Sequence, residues 1–329
     1  MTPVIQILKG GSDLMPGLAP YFIRASISDS GGIENDSIEI ELDDEGRQIP
    51  LPNEGDELTV LAGYAETGVS LAGVYVVQGW ESAWEGGPET ITIQARAASL
   101  SKDAKAAGFK HYDESTLKDV FSDIAQEMGL SLVIDAVLAA VKLDWLARWE
   151  ASPQDFATRL AEEHGGIAKP GGGKLSVTQR GSGKAASGAE LPIIRVQRLG
   201  SGGWRANGEP RPRFGKVAAS WHDAKDGKRK TVEVSTGKDG PTHAIIHPRA
   251  SEAEARAAAE AKARQLTMLT GGGHFIAAYD PAASAGAFVD ASDFGDGIDG
   301  RWVSETIETT FDKDGGAISV ISVKALPAA

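Results

Sequence analysis

The sequence contains no cysteine. That excludes disulfide staples, thiolate zinc sites and a cysteine nucleophile together. It also has no apolar run near the ~18–20 residues of a membrane span, so no stable membrane insertion is expected. The opening MTPVIQILKGGSDL lacks a basic n-region and has only a short apolar stretch, so it does not read as a secretory signal. Positive charge is scarce in the first third: residues 1–100 carry 16 acidic and 4 basic side chains, against 30 and 29 in the remainder. Duplex DNA is densely anionic, so an acidic surface repels it, and no specific nucleic-acid binding is expected. What the sequence has in excess is glycine, 40 of 329 residues. With 41% hydrophobic and 24% charged residues the chain reads as globular, turn-rich and long enough for two or three domains.

Residues 20–100 read as short strands separated by turns. Ser37-Ile38-Glu39-Ile40-Glu41-Leu42-Asp43 alternates strictly, which puts Ile38, Ile40 and Leu42 on one face and Glu39, Glu41 and Asp43 on the other. Further strands are expected at Leu58-Thr59-Val60, Gly73–Val77 and Thr90–Gln94. Residues 113–180 change character. Leu117, Val120, Phe121, Ile124 and Met128 recur at helical spacing, with Ser115 as a cap and Gly129 as the stop. A second helix opens at Ser152-Pro153-Gln154-Asp155, followed by a β-hairpin around Gly171-Gly172-Gly173. Residues 181–210 read as a linker or extended connection. Strands resume at Lys216–Trp221 and Thr231–Val234. Ser251-Glu252-Ala253-Glu254 reads as a capping box before an Ala-rich helix, and strands close the chain at Trp302–Phe311 and Ile318–Val323.

No catalytic constellation emerges. The six histidines include no His-Glu-x-x-His, and Pro248 weakens a shared metal face for His243 and His247. Gly171-Gly172-Gly173-Lys174 fails as a phosphate loop: Ala168 stands where its first glycine belongs, and Leu175 where a hydroxyl belongs. Phe294–Gly300 lacks the spacing and terminal Glu of a calcium loop. Gly227-Lys228-Arg229-Lys230 reads as a hairpin tip, and Trp80, Trp84, Trp221 and Trp302 as core or interface anchors. No catalytic residue, metal or cofactor is therefore assigned. The competing classes are a peptidoglycan hydrolase, which needs a clustered carboxylate pair or a metal site, and a carbohydrate-binding β-module, which needs exposed aromatics.

An internal repeat is present. Residues 71–97 align with 298–324 at a constant offset of 227, with Gly73 on Gly300, Val76 on Val303, Glu81 on Glu308 and Ile91 on Ile318. Tyr75 falls on Trp302 and Trp84 on Phe311. Two copies of one β-unit would flank the mixed segment. The expected core includes Ile38, Ile40, Leu42, Val60, Val76, Ile91, Ile93, Val303, Ile318 and Val320.

Several stretches together resemble one family: Asp36–Asp44, the Leu58–Tyr64 strand, Leu71–Val77, Thr116–Val120 with Ile124–Leu130, Ser152–Gly166, Glu252–Leu266 and Gly300–Val303. Their order and spacing resemble the late control D family, the baseplate hub proteins of contractile-tailed phages, related to the N-terminal part of VgrG-type spike proteins. The resemblance implies a mainly β (α+β) fold: a first tube-like β-domain over 1–105, a small mixed α/β domain over 106–185, and a linker and second tube-like β-domain over 186–329. It implies a homotrimer whose six β-domains form a pseudo-sixfold ring, adapting a sixfold tail tube to a threefold spike. The implied partners are the tail tube protein, a separate central spike protein and other baseplate proteins, with the tape measure a further candidate. The spike is expected to be separate because the chain stops at Ala329 without a β-helical extension. The implied location is the tail baseplate of a virion or a phage-tail-like particle assembled in the host cytoplasm, with DNA passing through the lumen. Glu39, Glu41 and Asp43 are the candidate lumen or interface residues.

Overall fold

The computed structural model describes residues 1–31, 36–97, 106–208, 214–223 and 225–327. The first region contains β1 (Pro3–Lys9), β2 (Ser12–Asp13), α1 (Met15–Leu18), β3 (Phe22–Ser30), β4 (Ser37–Asp43), β5 (Glu57–Tyr64), β6 (Gly68–Ala83) and β7 (Thr90–Arg96). The middle contains β8 (Gly108–Thr116), α2 (Leu117–Glu127), β9 (Ser131–Ile134), α3 (Ala136–Ala139), β10 (Lys142–Ala151), α4 (Pro153–Glu163), β11 (Gly166–Gly171) and β12 (Lys174–Gln179). The last region contains β13 (Ile194–Gln197), β14 (Gly203–Gly208), β15 (Lys216–Asp223), β16 (Lys228–Ser235), β17 (Thr242–Ala244), α5 (Glu252–Met268), β18 (Gly271–Ala278), β19 (Phe288–Ser292), β20 (Gly300–Asp312) and β21 (Ala317–Lys324). The fold is mainly β, as expected. The 105/106 division falls at the end of a stretch outside the described residues.

The repeat extends to whole units. The first has strands in the order β1-β5-β6-β7-β4-β3, and the second in the order β13-β19-β20-β21-β18-β14. The same positions are filled in the same chain order. Every neighbouring pair is antiparallel in both units except at one edge, where β1–β5 is antiparallel and β13–β19 parallel. The long strand of each unit carries its register shift at the same aligned place, between Val77 and Gly79 and between Ser304 and Thr306. Just before the shift, Val77 exchanges backbone hydrogen bonds with Gly55 and Asp56, and Ser304 with Gly286 and Ala287. Gly55 and Gly286 have φ of +89° and +88°, a conformation that a side chain would strain.

The ungapped alignment fails after the hairpin connection. β7 puts Ile91, Ile93 and Ala95 in its core, whereas β21 buries Ser319, Ile321 and Val323, one residue further along than the offset of 227. Ile318 and Val320 therefore lie on the outer face: Ile318 is 51% exposed and Val320 half-buried. This corrects their expected place in the core. Val76 is also only half-buried, and its neighbours Tyr75 and Val77 fill the core. The other expected core residues are buried. Each such aliphatic side chain contributes about 1.5–3 kcal/mol of burial.

Residues 181–210 are not simply a linker: they contain β13 and β14, both paired in the main sheet. Ile194 and Val196 are buried there, a two-residue alternation too short to stand out in a Gly- and Ser-rich sequence. The two units are also not separate sheets. β3 pairs antiparallel with β20, so one 13-stranded sheet runs through both. Phe311 and Ala317 of the second unit complete the hydrophobic core of the first.

The mixed segment has its own core, centred on Leu117, Phe121, Ile124, Phe156 and Leu160. Thr116, not Ser115, caps α2, because its hydroxyl and the Asp119 carboxylate satisfy each other's backbone N–H groups. Ser152 caps α4 with Pro153 in the first turn, and Gly172 and Gly173 form the left-handed tip of the β11–β12 hairpin, as expected. An insertion between β14 and β18 packs the Ala-rich face of α5 on the β15–β16–β17 sheet, around Val217, Trp221, Ala255 and Ala259. Ser251 caps α5, but Glu254 reaches the N–H of Ala250 and not that of Ser251, so the capping box is only half formed.

Candidate assembly face

The face opposite the core begins on β4. Ile38, Ile40 and Leu42 are buried and Glu39, Glu41 and Asp43 half-exposed, as the alternation requires. Arg24 on β3 is paired to Glu41 at 2.6 Å and lies 4.0 Å from Glu39. Asp43 accepts the N–H of Glu45 and holds the following turn. Register extends the face across the sheet. Glu39 is opposite Gln94, Glu41 opposite Thr92, and Thr92 opposite Glu81. On the other side Ser26 is hydrogen-bonded to Thr310 at 3.0 Å, Ser28 faces Glu308 and Arg24 faces Asp312. The result is one hydroxyl- and carboxylate-rich wall carried by both units. These ion pairs are exposed and contribute little stability, so the wall's character is its charge and hydration.

A second cluster ties the regions together. Lys169, from β11 of the mixed segment, lies 2.9 Å from Asp29 and 2.6 Å from Asp36, both of the first unit. The other Asp29 oxygen accepts the N–H of Ala285, in the second unit, at 2.8 Å. Three regions thus meet on one carboxylate. Burial alone would lower Lys169, but the two carboxylates outweigh it and hold the ammonium above the ordinary lysine range. Burial, more than the repulsion from Asp29, raises Asp36 against the pull of Lys169, as fits two carboxylates sharing one cation. Nothing in the sequence marks Lys169, because its partners lie more than 130 positions away.

The candidate chemical motifs do not assemble. Among the described residues no three His, Asp or Glu side chains are grouped to hold a metal ion. His243 and His247 line one cleft with Arg159, Lys262, Glu162 and Glu163, and the two carboxylates there are paired with Arg180 and Arg249. Lys230 of the basic run is paired with Asp223 and Asp226 within its own hairpin. No helix among the described residues is long and apolar enough to cross a membrane. Of the singled-out tryptophans, Trp221 is buried, and Trp302 is half-buried and donates to the carbonyl of Ile298. Trp80 and Trp84 are 46% and 69% exposed. The β8–β10 ribbon displays Phe109 and Trp149 edge to face at 4.9 Å, also exposed.

No family model matches the chain. It is 28% identical over 228 residues to a probable baseplate hub protein of Escherichia phage P2 and 25% identical over 276 residues to that of Escherichia phage 186. The matches cover 69% and 82% of this chain, and 58% and 70% of those relatives. The chain thus spans less than two thirds of the P2 protein. In fold it is similar to the 43 kDa tail protein of prophage MuSo2 from Shewanella oneidensis, with a TM-score of 0.73, 16% identity and 98% of each chain covered. It is also similar to a chain of the Francisella PdpA–VgrG complex, with a TM-score of 0.54, 9% identity, and 98% of this chain and 57% of that one covered. The resemblance read from the sequence therefore holds: the chain is a relative of phage baseplate hub proteins and has the fold of phage tail proteins.

Proposed function

We propose that this chain is a structural baseplate hub of a contractile phage tail or a tail-like particle. The observation that carries this reading is the duplication: one chain presents the same six-strand unit twice, joined edge to edge by β3 and β20 into a continuous wall. Three such chains would present six equivalent units, which is what an adaptor between a sixfold tube and a threefold spike needs. The division into two tube-like β-domains over 1–105 and 186–329, with a mixed domain over 106–185, belongs to this proposal. So do the partners: two further copies of the chain, the tail tube protein, a central spike protein and other baseplate proteins.

The wall bearing Glu39, Glu41 and Asp43 lines the lumen in this reading. Its carboxylates repel the DNA phosphates and its hydroxyls keep the surface wet, so nucleic acid passes without adhering. The work is mechanical and no catalytic role is assigned. Electron microscopy of the purified protein tests the reading. Closed rings of six similar lobes around an open centre are expected, alone or on adding a candidate spike protein; particles without a ring under both conditions would overturn it. A peptidoglycan zymogram should stay dark, and a cleared band would show an enzyme.

A further inference from the structure

The insertion and the mixed segment enclose a cleft that the wall does not use. Its volume is about 420 Å³. It lies between the C-terminal half of α4, the residues of β17 and those just after it, and one face of α5. α5 contributes Ala258 and Ala261 there, side chains too small to fill the space.

Charge in the cleft is one-sided. Its carboxylates are already taken: Glu162 lies 3.5 Å from Arg180, and Glu163 lies 3.2 Å from Arg249. Arg159 on α4 lies over the Phe156 ring, and Lys262 on α5 donates to the Gln265 amide at 2.8 Å. Neither cation has a carboxylate partner among the described residues. Burial, with Lys262 adding to it, holds His243 below the ordinary histidine value, so the imidazole adds a polar group without a charge at neutral pH.

The strand wall is unfinished. β17 pairs in parallel with β15 and is the last strand of its sheet among the described residues. Ile245 donates its N–H to Ala218 across that pair. Alternation turns the N–H and C=O of Ala244 the other way, to the open edge, and Ala244 lines the cleft. Ile245 packs on the α5 core, whereas Ile246, on the opposite face, is 80% exposed at the same cleft. A strand laid beside β17 would therefore have one face toward α5 and Lys262 and the other toward Ile246.

We infer that this cleft binds an extended acidic segment of a partner protein, added as a strand beside β17, with carboxylates on Arg159 and Lys262 and an apolar side chain on Ile246. The open edge supplies backbone hydrogen bonds and the alternating surroundings supply selectivity, as in other strand additions. A free anion would use the cations alone, and a nucleic-acid strand would meet Glu162 and Glu163 between them. The cleft lies outside the duplicated wall, so the inference does not rest on the hub reading.

Fluorescence anisotropy of fluorescein-labelled GEVEVEG-amide with the full chain tests it. Saturable one-to-one binding is expected, with GKVKVKG-amide at least about tenfold weaker. Arg159→Glu combined with Lys262→Glu, checked for folding by circular dichroism, should weaken binding by about tenfold or more. Ile246→Asp changes a side chain exposed in the single chain, so it should stay folded, and it should weaken binding by a similar factor. Of two peptides N-methylated on the valines or on the glutamates, one should lose about tenfold, because one set of N–H groups faces β17. No saturation up to about 1 mM peptide, or unchanged affinity in these variants, overturns the proposal. Binding that survives both N-methylations and is displaced by citrate is anion capture only and overturns the strand addition. Tighter binding of a single-stranded DNA heptamer would give the cations to phosphates and overturn it as well.

Discussion

β6 and β20 are the same strand built twice, and they end differently. The far end of β20 is buried because β3 runs beside it in the same chain. At the far end of β6 Trp80, and just beyond it Trp84, are exposed, and among the described residues no strand pairs with that edge. Local sequence set both strands' length, bulge and aromatic ends, but only the neighbour decided whether those aromatics are core. An exposed aromatic in a duplicated protein is therefore informative: its buried twin shows the environment it was built for.

The sharpest way to break the comparison is to remove each aromatic in turn. Phe311→Ala should cost about 3–5 kcal/mol, as for other fully buried phenylalanines, and appear as a large fall in the denaturant midpoint of the single chain. Trp84→Ala should change the unfolding free energy by less than about 0.5 kcal/mol and leave that midpoint almost unmoved, because the side chain is solvated there. Equal losses would show that Trp84 is already part of a core, and the asymmetry would vanish.

The next effect concerns the junction between regions. Lys169→Ala leaves Asp29 and Asp36 facing each other without their cation and should cost about 2–3 kcal/mol. Lys169→Ala combined with Asp29→Asn and Asp36→Asn should recover part of that loss. If the single substitution is silent in urea unfolding, the three regions are held by packing alone.

A smaller effect is set by pH. His164, at the end of α4, is held below the ordinary histidine value mainly by burial, with Arg249 adding to it and Glu163 opposing. Its Nδ1 is buried without a partner. A lowered folded value means that the unfolded chain takes the proton first. Stability is therefore full above about pH 6.5 and is lost as pH falls through the folded value. The melting temperature should drop between pH 7.5 and pH 5.5, and His164→Gln should flatten that drop. An unchanged slope would assign the acid sensitivity to other groups.

The smallest effect on stability is expected at the wall. Replacing Glu39, Glu41 and Asp43 together by lysine should leave the fold intact, at a cost within about 1 kcal/mol, because all three are half-exposed and the substitution removes Arg24's two carboxylates and the acceptor of the Glu45 N–H. The same variant should impair DNA passage in assembled particles. Normal delivery with normal assembly would end the lumen reading.

Much of this was legible in the sequence. The alternation from Ser37 to Asp43 gave both faces of β4 directly, and the Ser152-Pro153 signal located α4. The hairpin repeat was visible because β6 and β20 keep glycine, aromatic and acidic positions in step. Its continuation into β7 and β21 was misread because the connections differ by one residue, and one residue turns a strand over. That reversal put Ile318 and Val320 in the core on paper and on the outer face in the fold. The β3–β20 seam and the Lys169 tether left no local trace, because strands and charges more than 130 positions apart impose no periodicity on either stretch.

The most direct test of the central claim is the solution mass of the full chain by light scattering across a concentration series, alone and with a candidate spike protein. The duplicated wall predicts a closed assembly of three chain masses, in isolation or on adding the spike. A chain that stays at one mass under every condition would contradict it, because two units without neighbours cannot form a ring.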